Sequence, residues 1–305
     1  MFADGHVVSI YWENISRSIV ERTHRDAKKL DVLLYCLQAA DKRALYKNKT
    51  HEEIVTHSLL TVPNIHSTGK LPGMLLVHIG MTVRLSDVLA PRLGLVKDKL
   101  GKVLSVVLHE SDQKRLNNLP EGYRLFAPDF MAKGIWVQLH NYKRSPLTPY
   151  IMANVKHQRP GEGTTQKKAD QLMAGSAVFI ELHNATFKCD VKINGTNETV
   201  EVLRWQFPLI HGMLRTAYGA QGLTLHGGVV VDLRRAGGLG DDDWWLAIYV
   251  MLSRARRLTN LILVGFTEQV EELLRRGPPT RLIWVTEMLE QRAQITLARY
   301  SDVLN

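Results

Sequence analysis

Cysteine is nearly absent: Cys36 and Cys189 are the only two in 305 residues. No CxxC pair occurs, which excludes a Cys-rich structural zinc site and a disulfide framework. A reducing compartment suits such a chain. No apolar run approaches the ~20 residues of a membrane span, so no membrane partner is expected. The opening residues, MFADGHVVSIYWEN, lack the basic flank and long apolar stretch of a signal peptide. The N-x-[ST] sequons at Asn14, Asn48, Asn184, Asn194 and Asn197 matter only in a secreted chain and read as chance. There is no internal repeat, which argues against a solenoid or propeller. No Ser/His/Asp or Cys/His constellation points to nucleophilic hydrolysis.

What is present is ordinary globular composition, 45% hydrophobic and 23% charged, with length for about two domains. Lys and Arg outnumber Asp and Glu by 39 to 30, a net charge of +9, and the pI is near 9.5. That balance suits a polyanionic partner, nucleic acid being the commonest. A merely basic soluble protein is the plain alternative.

The pattern along the chain changes character twice. GHVVSIYW (5–12) reads as a short buried strand, and 14–30 follows with helical spacing of Ile15, Ile19, Val20 and Ala27. A strand is expected at 31–39, polar Lys- and His-rich sequence to about 56, and two strands around Gly80 in 71–89. From 90 to 200 short β-rich segments alternate with turns, at 101–110, 134–142, 176–183 and 187–205. Asn194-Gly195 is a hairpin signal in the last of these. The stretch 155–171 has no apolar periodicity and reads as an exposed loop. After 208 the α/β pattern returns. Helix then turn is expected over 208–225, a strand at 227–233, a helix at 241–255 and a strand at 260–266. A helix from Thr267 to Gly277 and a final amphipathic helix over 280–299 complete the reading. The acidic run Asp241–Asp243 fits a helix start, where the dipole favours carboxylates; a metal site is the other reading of it.

Three segments carry chemistry: LPGMLLVHIGMTVRL (71–85), RWQFPLIHGMLRTAYGAQGLTL (204–225) and YVMLSRARRLTNLILVGF (249–266). In this order they resemble the C-terminal half of superfamily-1 DNA helicases of the petite-integration-frequency (PIF) type, with RecD and Dda helicases as cousins. The resemblance covers roughly residues 60–266, and its strong motifs lie at the end. It implies an α/β fold: a RecA-like parallel-sheet domain, the second motor domain of a P-loop NTPase, with an inserted small SH3-like β-barrel. The implied boundaries are 1–89 for the first part of the RecA-like domain and 90–200 for the barrel region. The RecA-like domain resumes over 201–276, and 277–305 is a C-terminal helix.

The resemblance implies that Arg254 is an arginine finger. Its planar, multi-donor head would stabilise charge on a γ-phosphate from the end of a rigid helix. Arg256 and Arg257 read as solvated charges, the alternative being that one of them pairs with acidic groups or DNA phosphate. Gln221 and Gly222 are placed at the ATP cleft by the same resemblance, with Thr216, Tyr218 and Thr224 toward DNA. Trp205 and Gln206 would also face DNA. The chain departs from the family at Ala217, Tyr218, Gly219 and Ala220, where the family has Ile-His-Lys-Ser. Tyr218 is then a candidate to stack on a base, or else a core tyrosine.

A motor of this class holds ATP and Mg²⁺ on a G-x-x-x-x-G-K-[ST] loop. This chain has only Gly69-Lys70-Leu71 and Gly101-Lys102-Val103. Asp232, at the end of an apolar strand, mimics a Walker B aspartate but follows the QGLT motif, out of place for one. ATP and Mg²⁺ are therefore expected only with a P-loop domain that this chain does not contain, and the chain alone is expected to hydrolyse no ATP. The abrupt opening strand fits the start of a second domain. The expected partners are DNA, mainly single-stranded, and a missing N-terminal motor domain. Roles in DNA repair and recombination and an intracellular setting, nuclear or mitochondrial, come from the resemblance alone. The competing reading is a non-catalytic, degenerate helicase-derived nucleic-acid-binding protein.

Overall fold

The computed structural model describes residues 5–10, 12–45, 47–140, 177–193, 195–235 and 237–304. The loop expected over 155–171 and Asn194 lie outside them. In chain order the elements begin with β1 (His6–Ser9), α1 (Trp12–Leu30), β2 (Leu34–Gln38), β3 (Ala40–Lys42), α2 (Lys49–Thr61), β4 (Met74–His78) and β5 (Thr82–Leu85). Then come β6 (Leu100–Val107), α3 (Glu110–Asn117), β7 (Leu125–Phe126), β8 (Gly134–Leu139), β9 (Ala177–Ile180), β10 (His183–Ile193) and β11 (Thr196–Gln206). The last are β12 (Leu209–His211), β13 (Leu214–Thr216), α4 (Ala217–Ala220), β14 (Val229–Asp232), α5 (Asp241–Leu252), β15 (Leu261–Val264), α6 (Glu268–Arg275) and α7 (Thr280–Leu304).

Contacts divide the chain into two units, one continuous (15–214) and one split (1–14 with 215–305). Charge divides with them. The continuous unit holds 28 of the 39 basic and 18 of the 30 acidic residues, a net +10, and every lysine of the chain. The split unit nets −1 and its only cations of fixed charge are arginines.

The split unit is an α/β layer. Its sheet has the order β13-β1-β14-β15. The last three strands run parallel, with His6 opposite Val229 and Val229 opposite Leu261. A parallel strand covered on both faces reads as an unbroken apolar run, and β14, VVVD, does so. Val8, Val229, Val231, Leu233, Ile248, Met251 and Val270 form the core here. Thr267 caps α6, its hydroxyl accepting from the Val270 N–H at 3.4 Å, and Gly277 follows the end of that helix at φ 81°. Asp241 and Asp242 open α5 and pair with Arg276 at 3.3 and 3.0 Å.

The continuous unit is mostly antiparallel β. A five-stranded sheet has the order β12-β5-β6-β8-β9, and two three-stranded sheets have the orders β10-β11-β3 and β4-β2-β7. The expected boundary at 89/90 passes between β5 and β6, which pair directly, Thr82 opposite Lys102. The hairpin β10–β11 runs in register from Ile193–Thr196 to His183–Gln206. Gly195 at its tip has φ 87°, a left-handed conformation that glycine adopts without steric cost. The inner face of the hairpin, Val191, Ile193, Val200 and Val202, packs on Val55 and Leu59 of α2. Beneath it Arg204, wholly buried, makes a two-point ion pair with Asp41 at 2.7 and 2.6 Å and donates to the Leu59 and Leu71 carbonyls.

The structure corrects the reading in three places. The stretch 208–225 is not a helix: β12 pairs antiparallel with β5, β13 joins β1, and only Ala217–Ala220 is helical. Sheet pairing overrides a local pattern that suits either state. The polar stretch to residue 56 contains β3 and most of α2, whose N-terminus is capped by the Asn48 side chain accepting from Thr50 N–H at 2.9 Å. The helix α3 stands where only β segments and turns were expected.

Candidate functional site

The two strongest motifs meet in the split unit. The chain leaves β13 at Thr216, a buried residue that caps α4, its hydroxyl accepting from the Gly219 N–H at 3.1 Å. The single turn ends as Gln221 N–H donates to the Tyr218 carbonyl at 3.2 Å and Leu223 N–H to the Ala220 carbonyl at 3.1 Å. Gly222 takes φ 75° with open space where a Cβ would stand, so the chain reverses there without obstruction. Ala217 and Ala220 are buried, which is why small residues suit these positions. Tyr218 points the other way and is 76% exposed; it is not a core tyrosine. Gln221, Gly222 and Thr224 are exposed as well.

From the other side comes the end of α5. Ile248 and Met251 anchor that helix in the core. Ser253 closes it, and Arg254 turns back. Its Nε donates to the Val250 carbonyl at 2.9 Å, its Nη2 to Ser253 Oγ at 2.7 Å and its Nη1 to the Leu223 carbonyl at 3.0 Å. The backbone adds a second tie: Leu225 N–H donates to the Arg254 carbonyl at 3.1 Å, and Leu225 and Ala255 form a parallel bridge. Arg254 thus joins the QGLT loop to the helix C-terminus through neutral acceptors. Arg256 and Arg257 are exposed, with no ion pair among the described residues.

The structure brings Thr216, Tyr218, Gln221, Gly222, Thr224 and Arg254 into one loop–turn assembly. It does not bring Gln206 to a surface. That residue is wholly buried, donates to the Leu37 carbonyl at 3.0 Å and accepts from its neighbour Phe207 N–H at 2.9 Å, so the expectation that it faces DNA is corrected. Trp205 is half-buried. Arg215 escaped the sequence reading: it is buried beside the turn and reaches the Gly219 carbonyl at 3.5 Å.

Asp232 does not behave as a metal ligand. Its carboxylate accepts from Ser9 Oγ at 3.2 Å, Asn14 Nδ2 at 2.9 Å, and both Nε and Nη2 of Arg234 at 2.8 Å. Those hydrogen bonds tie β14 to the end of β1, and in return hold the Arg234 guanidinium above its ordinary pKa. Among the described residues there is no His, Cys, Asp and Glu cluster able to hold a metal. Among the described residues no set therefore fits Mg²⁺. A cavity of about 600 Å³ opens at the far end of α5 from Arg254, lined by Arg235, Asp241, Trp244, Gln269, Glu272 and Arg276. Its charges answer one another, Arg235 pairing with Asp241 at 2.8 Å and stacking over Trp244.

No protein-family model and no curated protein matches the chain. Solved structures do. The Pif1 helicase of Candida albicans shares 19% identity and a TM-score of 0.48, over 93% of this chain and 50% of that one. Pif1 of Bacteroides bound to single-stranded DNA shares 13% identity and a TM-score of 0.49, over 95% and 46%. The Bacteroides enzyme in complex with ADP-AlF3 and single-stranded DNA shares 14% and 0.47, over 95% and 47%. The chain thus resembles Pif1 helicase structures along nearly all of its own length and about half of theirs.

Proposed function

We propose that the chain is the C-terminal portion of a PIF-type, ATP-dependent DNA helicase that translocates 5′ to 3′ on single-stranded DNA. In this reading the split unit is the second RecA-like motor domain, and the continuous unit carries the inserted SH3-like barrel. The observation that carries it is the junction of the two motifs: Arg254 and the QGLT loop, 31 positions apart, share a direct hydrogen bond. An arginine there can present a planar, multi-donor head to phosphate, while the loop it touches presents Tyr218 and Thr224 to nucleic acid. A P-loop-bearing first domain would hold the nucleotide and its Mg²⁺, for which the described residues offer no carboxylate set. When bound there, ATP would supply the free energy for closing the cleft between the domains, and this chain would contribute Arg254 and its loop.

The test uses the purified chain with single-stranded DNA. No ATP turnover is expected from it alone. Turnover that Arg254→Ala abolishes would overturn the reading of a chain dependent on a separate P-loop domain. A second reading, a non-catalytic DNA-binding derivative, is favoured by Ala217-Tyr218-Gly219-Ala220 and by the three internal acceptors of Arg254. Adding the first motor domain of a PIF-type helicase separates the two. Turnover that requires Arg254 supports the motor; persistent DNA binding without turnover supports the derivative.

A further inference from the structure

The helix α7 is 25 residues long, and its residues from Glu290 to Tyr300 are exposed throughout. A helix without tertiary packing is marginal in water, yet this one carries Trp284 at 60% and Ile295 at 61% exposure. Apolar residues lie on more than one of its faces; flanking charge singles out one stripe. Read in sevens, Met288 and Ile295 fall at a, with Trp284, Gln291 and Ala298 at d. The g positions are then Glu287 and Gln294, and the e positions Arg292 and Arg299. Neither Glu287 nor Arg292 forms an ion pair among the described residues.

In a parallel helix pair, a g residue faces the e residue five positions on in its partner. Glu287 would meet Arg292 of a second copy, Gln294 would meet Arg299, and the two-fold axis repeats both contacts. An antiparallel pair would set arginine flank against arginine flank. The geometry points to a parallel two-stranded coiled coil between α7 of two copies, built on Trp284, Met288 and Ile295. Between Trp284 and Ala298 one polar residue, Gln291, sits in the seam, where such groups fix register at a cost in stability.

Sedimentation velocity of the full chain, over roughly 1 to 200 µM, tests this. A monomer–dimer equilibrium is expected in that range, and Ile295→Asp is expected to leave only monomer. Glu287→Arg should weaken the dimer about tenfold, and adding Arg292→Glu should restore it. Met288→Cys, in a background of Cys36→Ser and Cys189→Ser, should cross-link between copies, because equal a positions share one layer. A chain monomeric throughout, a dimer indifferent to Ile295→Asp, a charge swap that fails to restore, or no cross-link at Met288→Cys overturns the proposal. Glu287, Arg292 and Ile295 are exposed, so the variants at these positions leave the fold of each copy intact. The outcome does not depend on helicase activity.

Discussion

The Nη1 of Arg254 donates to the carbonyl of Leu223 at 3.0 Å, so the side chain at the end of one helix pins a loop 31 positions earlier. Arg254→Ala removes three hydrogen bonds that all go to neutral acceptors. A loss of about 1–2 kcal/mol is expected. Faster amide hydrogen exchange over residues 221–225 is the measurement that checks it. Lysine should recover little, since its point charge cannot span the Val250 and Leu223 carbonyls together. Unchanged exchange in the alanine variant would show that the carbonyl contact does not hold the loop.

The buried pair Arg204–Asp41 is the second target. Asp41→Asn leaves a wholly buried guanidinium facing a neutral amide. Breaking such a pair from one side typically costs about 3–5 kcal/mol. The urea midpoint at neutral pH should fall accordingly. A shift under about 1 kcal/mol would mean that the Leu59 and Leu71 carbonyls suffice to hold the cation.

His66 supplies a pH prediction. Burial, then the cations Lys97, Lys70 and Arg84, hold its imidazole below the usual 6.5. The folded chain therefore binds fewer protons there than the unfolded chain. The contribution of His66 to stability is complete above the unfolded pKa and is lost as pH falls through the lower folded value. NMR titration should place its midpoint under 6.5, and Lys97→Gln should move it upward without restoring it, because burial remains.

Tyr218 should matter for nucleic acid and not for stability. At 76% exposure it has no core contact to lose, and base stacking on an aromatic is worth about 1–3 kcal/mol. Tyr218→Ala should weaken single-stranded DNA binding about 5- to 150-fold. Because tyrosine is uncharged, the salt dependence of binding should keep its slope. Neutralising exposed lysines of the continuous unit should flatten that slope. Thr216→Ala is a contrasting control: it removes a cap worth about 1 kcal/mol and acts through the shape of the turn.

Legibility followed the physics of each element. Thr267 and Gly277 bracket α6 because caps are local chemistry, readable from neighbours in sequence. The parallel strands β14 and β15 were plain as apolar runs. Asn48 was an equally local signal for α2, obscured by a helix whose only buried residues are Val55 and Leu59. Residues 208–216 could not be read correctly from their own pattern. Leu209–His211 become a strand because β5 lies beside them, an interaction over more than a hundred positions. At the site, the motifs named Arg254 and Tyr218, but the burial of Gln206 and the capping role of Thr216 depend on neighbours brought in by the fold.

The strand β1 lies inside the sheet, between β13 and β14, although some 220 residues separate it from its parallel partner. During synthesis its backbone hydrogen-bonding groups emerge some 220 residues before those of β14. At ~5–20 residues per second, β14 follows only after on the order of ten to forty seconds. The continuous unit can close in that interval, while His6–Ser9 remains an unpaired apolar strand, the kind of segment that invites aggregation or chaperone capture. Expression yield of this chain should therefore depend on protection of His6–Ser9 more than on any property of the finished site.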